Sequence, residues 1–433
     1  MVYSKLLSQN EAQKSLKPIK LKNKIESSGV PMIYDDKCFY LSNSEQHTLV
    51  VGSTGSGKTQ CILLPMINLS MMANESIIVT DPKGEIYNRV ASQLEKENYQ
   101  IFIFNPSDIK HSNLYNPLLL PYYEYKNGNI DWSNDELDNI GYYLLNDNNS
   151  NADPFWINSA INYFKGLVFY AFDHFEEKNL NLINVFNLVD EFNSAKSISK
   201  VDGNSKAWTY LNMILSMPND TMESILSVFK NRTLFYTSRD NFKLFFDRSD
   251  FEFRNINKKF AIFFVGNNNY NNSLIPLFVN QLYGYVNLDH KLDKIVNVIL
   301  DEFDYLTPFK DFTRLINYSR GLKIRYTVII TSYTSLKNKY GEDDYNIIKL
   351  CFGNYLFLSC NDLFTLDEFS MMCGRKNANS LLITAEELRT LKMFEAIVLV
   401  PRMMPFKSDL MPDYRIDWGY ERKEKEIPIL QKD

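Results

Sequence analysis

The chain is poor in the residues that build metal and disulfide frameworks. Its five cysteines, Cys38, Cys61, Cys351, Cys360 and Cys373, are odd in number, scattered and free of any CxxC spacing. That argues against a disulfide scaffold or a zinc site and predicts a reducing compartment. The four histidines, His47, His111, His174 and His290, show no ligand spacing, so no histidine metal centre is expected. No apolar run approaches the roughly 18–20 residues that cross a bilayer, and the N-terminus lacks the apolar core of a signal peptide, so the chain is expected to be soluble. With 16 Gly and 15 Pro it has too few of either for a fibrous or low-complexity protein. Positive charge is not in excess either. A formal net charge of −5 excludes a general basic coat and confines any nucleic-acid contact to a local patch.

What is present is a globular composition. Hydrophobic residues make up 45% and aromatics 14% of 433 residues, enough for one large α/β core and a second sizeable unit. Lys14, Lys17, Lys20, Lys22 and Lys24 cluster around Pro18 without clear periodicity, so residues 1–37 read as a solvated basic arm. From residue 38 short apolar runs alternate with helix-length segments: strands at 38–42, 48–52, 76–80 and 101–104, helices at 58–72 and near 85–97. This alternation predicts a parallel, helix-covered sheet. Between about 132 and 250 helical patterns such as 160–175 and 220–229 replace the strands, which predicts an inserted all-helical domain. Strand patterns resume at 260–266, 296–300, 326–331, 355–358 and 396–400. The α/β domain is therefore expected to be split, 38–131 and 251–433, around the insertion.

The chemistry begins at Gly52-Ser53-Thr54-Gly55-Ser56-Gly57-Lys58-Thr59. This matches GxxxxGK[ST] in full, after an apolar strand and before a helix, the context a P-loop requires. Glycines let backbone N–H groups curl around a phosphate, Lys58 reaches the β/γ oxygens of ATP, and Thr59 offers its hydroxyl to Mg²⁺. The apolar run Val296–Leu300 ends in Asp301 and Glu302. There Asp301 is expected beside the metal and Glu302 beside an attacking water, which it can orient and partly deprotonate.

Three further positions carry two readings each. Asp81-Pro82-Lys83-Gly84-Glu85 ends the strand after the P-loop helix, where ligands bind in parallel sheets, but it also suits a plain strand-to-helix turn. Arg320 is either a surface arginine or a donor of positive charge to a neighbouring subunit's γ-phosphate. Thr331 either senses that phosphate or caps the next helix.

Taken together these segments resemble the TraG-like coupling ATPases of type IV secretion and conjugation. Carrying the resemblance, in order, are Gly52–Thr59, Asp81–Glu85, Tyr115-Asn116-Pro117-Leu118, Phe155-Trp156, Leu300-Asp301-Glu302-Phe303, Ser319-Arg320, Thr331-Ser332 with Leu336 and Tyr340-Gly341, Asn361-Asp362 and Gly374. The resemblance implies a RecA-like motor domain with an inserted helical domain, a working ring of six with nucleotide between subunits, and a functional Asp81–Glu85 turn. It also implies Arg320 acting in trans, and handling of DNA with its relaxase, or of a secreted protein, at the inner face of the membrane. Members usually begin with membrane-spanning helices. This chain has none, so it is expected to work in the cytoplasm and to meet channel components through another subunit. Where members usually carry a glutamine, Thr331 stands.

Two other readings compete. An FtsK-like double-stranded DNA pump would be favoured by a C-terminal winged helix, and none is evident after Tyr414. A substrate receptor or assembly switch that binds nucleotide with little turnover is opposed by the intact Lys58, Thr59, Asp301 and Glu302, and left open by Thr331.

Overall fold

The computed structural model describes residues 3–21, 24–35, 38–42, 45–146, 153–266 and 271–431. The chain divides into two compact units, the first made of residues 1–101, 256–266 and 289–427, the second of 102–255, 267–288 and 428–433. The segment 132–250 lies inside the second unit.

The strands in chain order are β1 (Lys17–Lys20), β2 (Pro31–Asp35), β3 (Cys38–Leu41), β4 (Thr48–Gly52), β5 (Ser76–Asp81), β6 (Gln100–Phe104), β7 (Phe260–Val265), β8 (Val296–Leu300), β9 (Ile324–Ile330), β10 (Asn354–Ser359), β11 (Arg375–Asn377), β12 (Ser380–Leu381), β13 (Glu395–Leu399) and β14 (Phe406–Asp409). Nine of them form one sheet in the order β14-β13-β10-β4-β9-β8-β5-β7-β6. The pairs from β10 through β7 are parallel, whereas β13 runs antiparallel to both β10 and β14. Every residue of β4, β5, β7, β8 and β9 is buried, because helices cover both faces, and this is why these strands read as continuous apolar runs. The helix Leu64–Ala73 behind the P-loop is buried at every position but Met72 and stops at Asn74, whose φ of 54° breaks the ladder. Glu85–Lys96 is amphipathic by contrast, burying Ile86, Tyr87, Val90, Ala91 and Leu94.

The expected N-terminal arm folds instead. A five-residue helix, Gln9–Gln13, opens with a capping box from Ser8 and Glu11, and β1 and β2 flank β3 in a three-stranded antiparallel sheet. Lys22 lies outside the described residues. Ser28 fixes the lead-in to the main sheet through a buried network. The Arg325 guanidinium donates to the Ser28 carbonyl (2.8 Å) and hydroxyl (2.6 Å) and pairs with Glu75 (2.9 Å), while Ser28 N–H and Asn297 Nδ2 donate to the same carboxylate, each at 2.9 Å. Every partner is satisfied, so a buried charge pair is tolerated here, and removing one member would leave the other uncompensated. These contacts join residues far apart in sequence, which is why no local signal announces them.

The second unit contains the helices Leu119–Lys126, Ile130–Leu145, Pro154–His174, Lys206–Leu215, Asn219–Thr237 and Asn271–Asn287, with shorter turns. Pro154–His174 is its spine. A Cβ at Gly166 would stand 2.8 Å from Leu211, and one at Gly141 would stand 2.8 Å from Ile161, so both glycines allow close helix crossings. Lys165 is buried in this spine, paired with Asp138 at 2.7 Å and lying over the Tyr210 ring. Among the described residues no helix is long and apolar enough to cross a membrane.

Candidate nucleotide site

β4 delivers the chain to the carboxyl edge of the sheet, and Ser53 turns it. Ser53 N–H donates to the Ser359 carbonyl at the end of β10 (2.8 Å), and the two hydroxyls bond at 2.8 Å. Gly55 and Gly57 have φ of 81° and 89°, the left-handed region where a side chain is strained. A Cβ on Gly52 would meet Ser56 Oγ at 2.7 Å, so the loop closes on itself too tightly for alanine there. Past Lys58 the backbone opens into a wide turn over Thr59–Leu63 before the α-helix takes over.

The Lys58 ammonium donates to the carbonyls of Gly52 (2.8 Å) and Ser53 (2.9 Å). Burial lowers its pKa, and the carboxylates of Asp301, Glu302 and Asp304 oppose that shift. Asp301 shows the counterpart: burial raises its carboxyl, opposed first by the Lys58 charge. Thr80 Oγ1 donates to the Asp301 carbonyl (2.8 Å), and Asp301 Oδ1 accepts from Glu302 N–H (2.9 Å). Glu302 stands at φ 53°, ψ 38°, strained for a non-glycine residue, at the start of a single 3₁₀ turn.

Asp81, buried at the end of β5, accepts from the backbone N–H groups of Ile86 (3.2 Å) and Tyr87 (2.8 Å) and so caps the following helix. Burial pushes its carboxyl up to about 6 in spite of those two bonds. Lys83 is exposed beside it.

Thr54, Gly55, Lys58, Thr59, Asp81, Lys83, Asp301, Glu302 and Thr331 all line one cavity of about 200 Å³, with Tyr305 and Glu85 at its wall. Gly52, Ser53, Ser56 and Gly57 shape the loop above it. Thr331 does not present a free hydroxyl: its Oγ1 and N–H both donate to Asp304 Oδ2, at 2.7 and 2.6 Å, and Ser335 Oγ donates to Oδ1 at 2.6 Å. Asp304 is thus the polar hinge between the acidic turn and the end of β9. The signal for it in the sequence is an acid three residues beyond Asp301. Arg320 is not brought to this cavity. It precedes β9 at the opposite edge of the sheet, separated from Thr331 by the length of that strand, roughly 20 Å. There it forms an ion pair with Glu45 at 3.6 Å.

The donor set suits a hard cation held partly by phosphate and water. Thr59 and Asp301 offer oxygen, and among the described residues no cluster of three or more His, Cys, Asp or Glu could cage a metal unaided.

Residues 7–381 match the family model for conjugative DNA transfer by the type IV secretory system. Among solved structures, the fold is similar to the unbound bacterial conjugative coupling protein TrwBdeltaN70, with a TM-score of 0.71 at 13% identity over 100% of this chain and 96% of that one. The plasmid coupling protein TrwB in complex with ADP and Mg²⁺ gives the same score and identity over 100% and 97%. VirB4 of Thermoanaerobacter pseudethanolicus follows, at 0.58 and 11% identity over 90% and 98%. No curated protein sequence gives a significant match. These likenesses establish the expected fold, a RecA-like α/β domain with a mostly parallel sheet and a helical domain.

Proposed function

The chain belongs to the type IV secretory family of conjugative DNA transfer, and from that premise we propose that it is an ATP-hydrolysing coupling protein that passes DNA into a secretion channel. The DNA is single-stranded and carries a bound relaxase or other secreted protein. One observation carries this reading: the P-loop, the Asp81–Glu85 turn and the Asp301–Glu302 turn converge on a single cavity.

In this reading Lys58 leaves the Gly52 and Ser53 carbonyls to meet the β/γ-phosphates, with the loop amides as the remaining donors. Thr59 and Asp301 hold Mg²⁺, which when bound neutralises phosphate charge. Glu302, positioned by its strained backbone, orients the water that attacks. Lys83 adds positive charge, Asp81 holds the turn that presents it, and Thr331 acts through Asp304. Solved structures of TrwB with ADP and Mg²⁺, and with ATP and GTP analogues, support the choice of ligands. Arg320, remote from its own cavity, serves a neighbour's in a homo-hexameric ring. The second unit contributes to substrate choice. The ring works at the cytoplasmic face of the membrane, bound to channel components through another subunit.

The test is the ATPase rate of the full chain without DNA and with single- or double-stranded DNA. Turnover stimulated by single strands and abolished by Lys58→Ala is expected. Flat, low turnover under every condition would overturn the motor reading.

A further inference from the structure

The cavity beside the P-loop, at about 200 Å³, is smaller than the ~300–1,000 Å³ usual for a whole cofactor. It has room for phosphates and a metal, and the nucleoside must lie beyond it. The sheet order gives the direction. Asp301, Glu302 and Asp81 end β8 and β5, on one side of β4, so the terminal phosphate points that way. The base must then leave the P-loop on the other side, toward β10, β13 and β14.

What stands there is aromatic. Because β13 runs antiparallel to β10, its first residue, Glu395, comes to the same edge of the sheet as the P-loop, and β14 ends at that edge beside it. Phe394, the residue before β13, therefore reaches the P-loop from this side. A Cβ built on Gly57 would stand 3.0 Å from Cδ1 and Cε1 of the Phe394 ring, so the ring lies directly against the loop backbone. Phe394 holds φ 71°, an uncommon and strained conformation for a bulky residue, of the kind that gathers at ligand clamps. Its ring has no aromatic partner among the described residues. The turn Asp413–Arg415, just beyond β14, lies against Thr59–Leu63. It carries Tyr414, 50% exposed, with the Arg415 guanidinium 5.7 Å from its ring centre.

We infer that Phe394, with Tyr414 of the turn that lies against Thr59–Leu63, forms the wall on which the base of the nucleotide stacks. The inference rests on the nucleotide-site reading above. A ring face recognises the breadth of a base and none of its edge groups, so purines bind better than pyrimidines, and adenine and guanine are not separated by these two residues.

Calorimetric titration of the full chain with Mg·ATP, Mg·CTP and magnesium tripolyphosphate, which has no base, tests this. Phe394→Leu keeps an apolar side chain against Gly57 while removing the ring. It should weaken ATP about 5- to 100-fold, the range of one lost stacking contact, and leave tripolyphosphate within about twofold of the unmodified chain. Tyr414→Ala should act in the same sense, and Phe394→Tyr should bind ATP as the unmodified chain does. Equal weakening of ATP and tripolyphosphate by Phe394→Leu would mean that the ring only props the loop, and unchanged ATP binding would mean that no base rests on it. Either result overturns the inference. Lys58→Ala checks the underlying reading separately: it must weaken both ligands, and if it weakens neither, the nucleotide site itself is misplaced.

Discussion

Asp81 offers a perturbation whose effect should change sign with pH. Its carboxyl is pushed from 3.8 up to about 6, chiefly by burial. A folded pKa above the ordinary one means that the folded state holds the proton more tightly. The group therefore costs almost nothing well below pH 3.8 and progressively more up to pH 6. Above that, the 2.2-unit difference corresponds to about 3 kcal/mol of lost stability. Asp81→Asn removes the charge but can no longer accept from both Ile86 and Tyr87 N–H, a loss of about 1 kcal/mol. At pH 7.5 the variant should thus be more stable by about 2 kcal/mol, or about 4 °C in melting temperature for a unit of this size. At pH 4 the carboxyl penalty has shrunk to about 0.5 kcal/mol, so the lost hydrogen bond wins and the variant should melt below the unmodified chain. Thermal unfolding of both proteins at the two pH values is the assay. A melting difference of one sign at both would refute the reasoning, since neither a packing defect nor a general gain in rigidity reverses with protonation. The same variant should hydrolyse ATP more slowly, pairing a more stable fold with a poorer site.

Three other outcomes are expected. Glu302→Gln should bind Mg·ATP normally and hydrolyse it at least about 100-fold more slowly in a single turnover; loss of binding instead would make Glu302 structural. Arg320→Ala should keep ATP binding and lose the turnover that grows with protein concentration, and mixing it with Lys58→Ala should restore part of the activity; mixed rings that form without recovering activity would refute action in trans. Burial pushes His47 down to about 4, and it donates through Nε2 to the Ile316 carbonyl while Nδ1 accepts from Tyr326 N–H. Its stabilising effect is full above pH 6.5 and falls by up to about 3 kcal/mol as pH drops toward 4. His47→Gln should flatten that slope in urea unfolding, and an unmodified-minus-variant difference that is constant from pH 7.5 to 5 would count against it.

The parallel strands were legible because burial on both faces writes them as uninterrupted apolar runs, and the P-loop because its glycines, lysine and threonine stand between such a strand and a helix. The convergence of Asp81, Asp301 and Glu302 followed from placing each at the end of one of these strands. What escaped was written in weaker patterns. In β1 only Ile19 is buried, and in β14 burial alternates through Phe406 and Ser408, so neither carries an apolar run. The lead-in is held by Ser28 and Arg325, whose pairing no window of sequence contains. The helix Asn271–Asn287 falls between two strands of the sheet yet belongs to the helical unit, and nothing in its composition separates it from a helix that covers the sheet. Phe394 gave no signal at all, since only its backbone angle and its neighbour Gly57 single it out.

The Ser28–Glu75–Arg325 network also has a consequence for biosynthesis. Ser28 and Arg325 are 297 residues apart, so at about 5–20 residues per second the ribosome releases the second roughly 15–60 s after the first. For that interval Glu75 lacks the guanidinium that makes its burial tolerable, and β4 and β5, though already synthesised, cannot close into the centre of a finished sheet. The residues of the helical unit up to 288 emerge within the same interval, so the nascent chain can complete most of that unit while the unit that carries the large sheet waits for its own middle strands. A ribosome that stalls between residues 288 and 325 would hold the chain with its sheet open and its apolar strands exposed to chaperones.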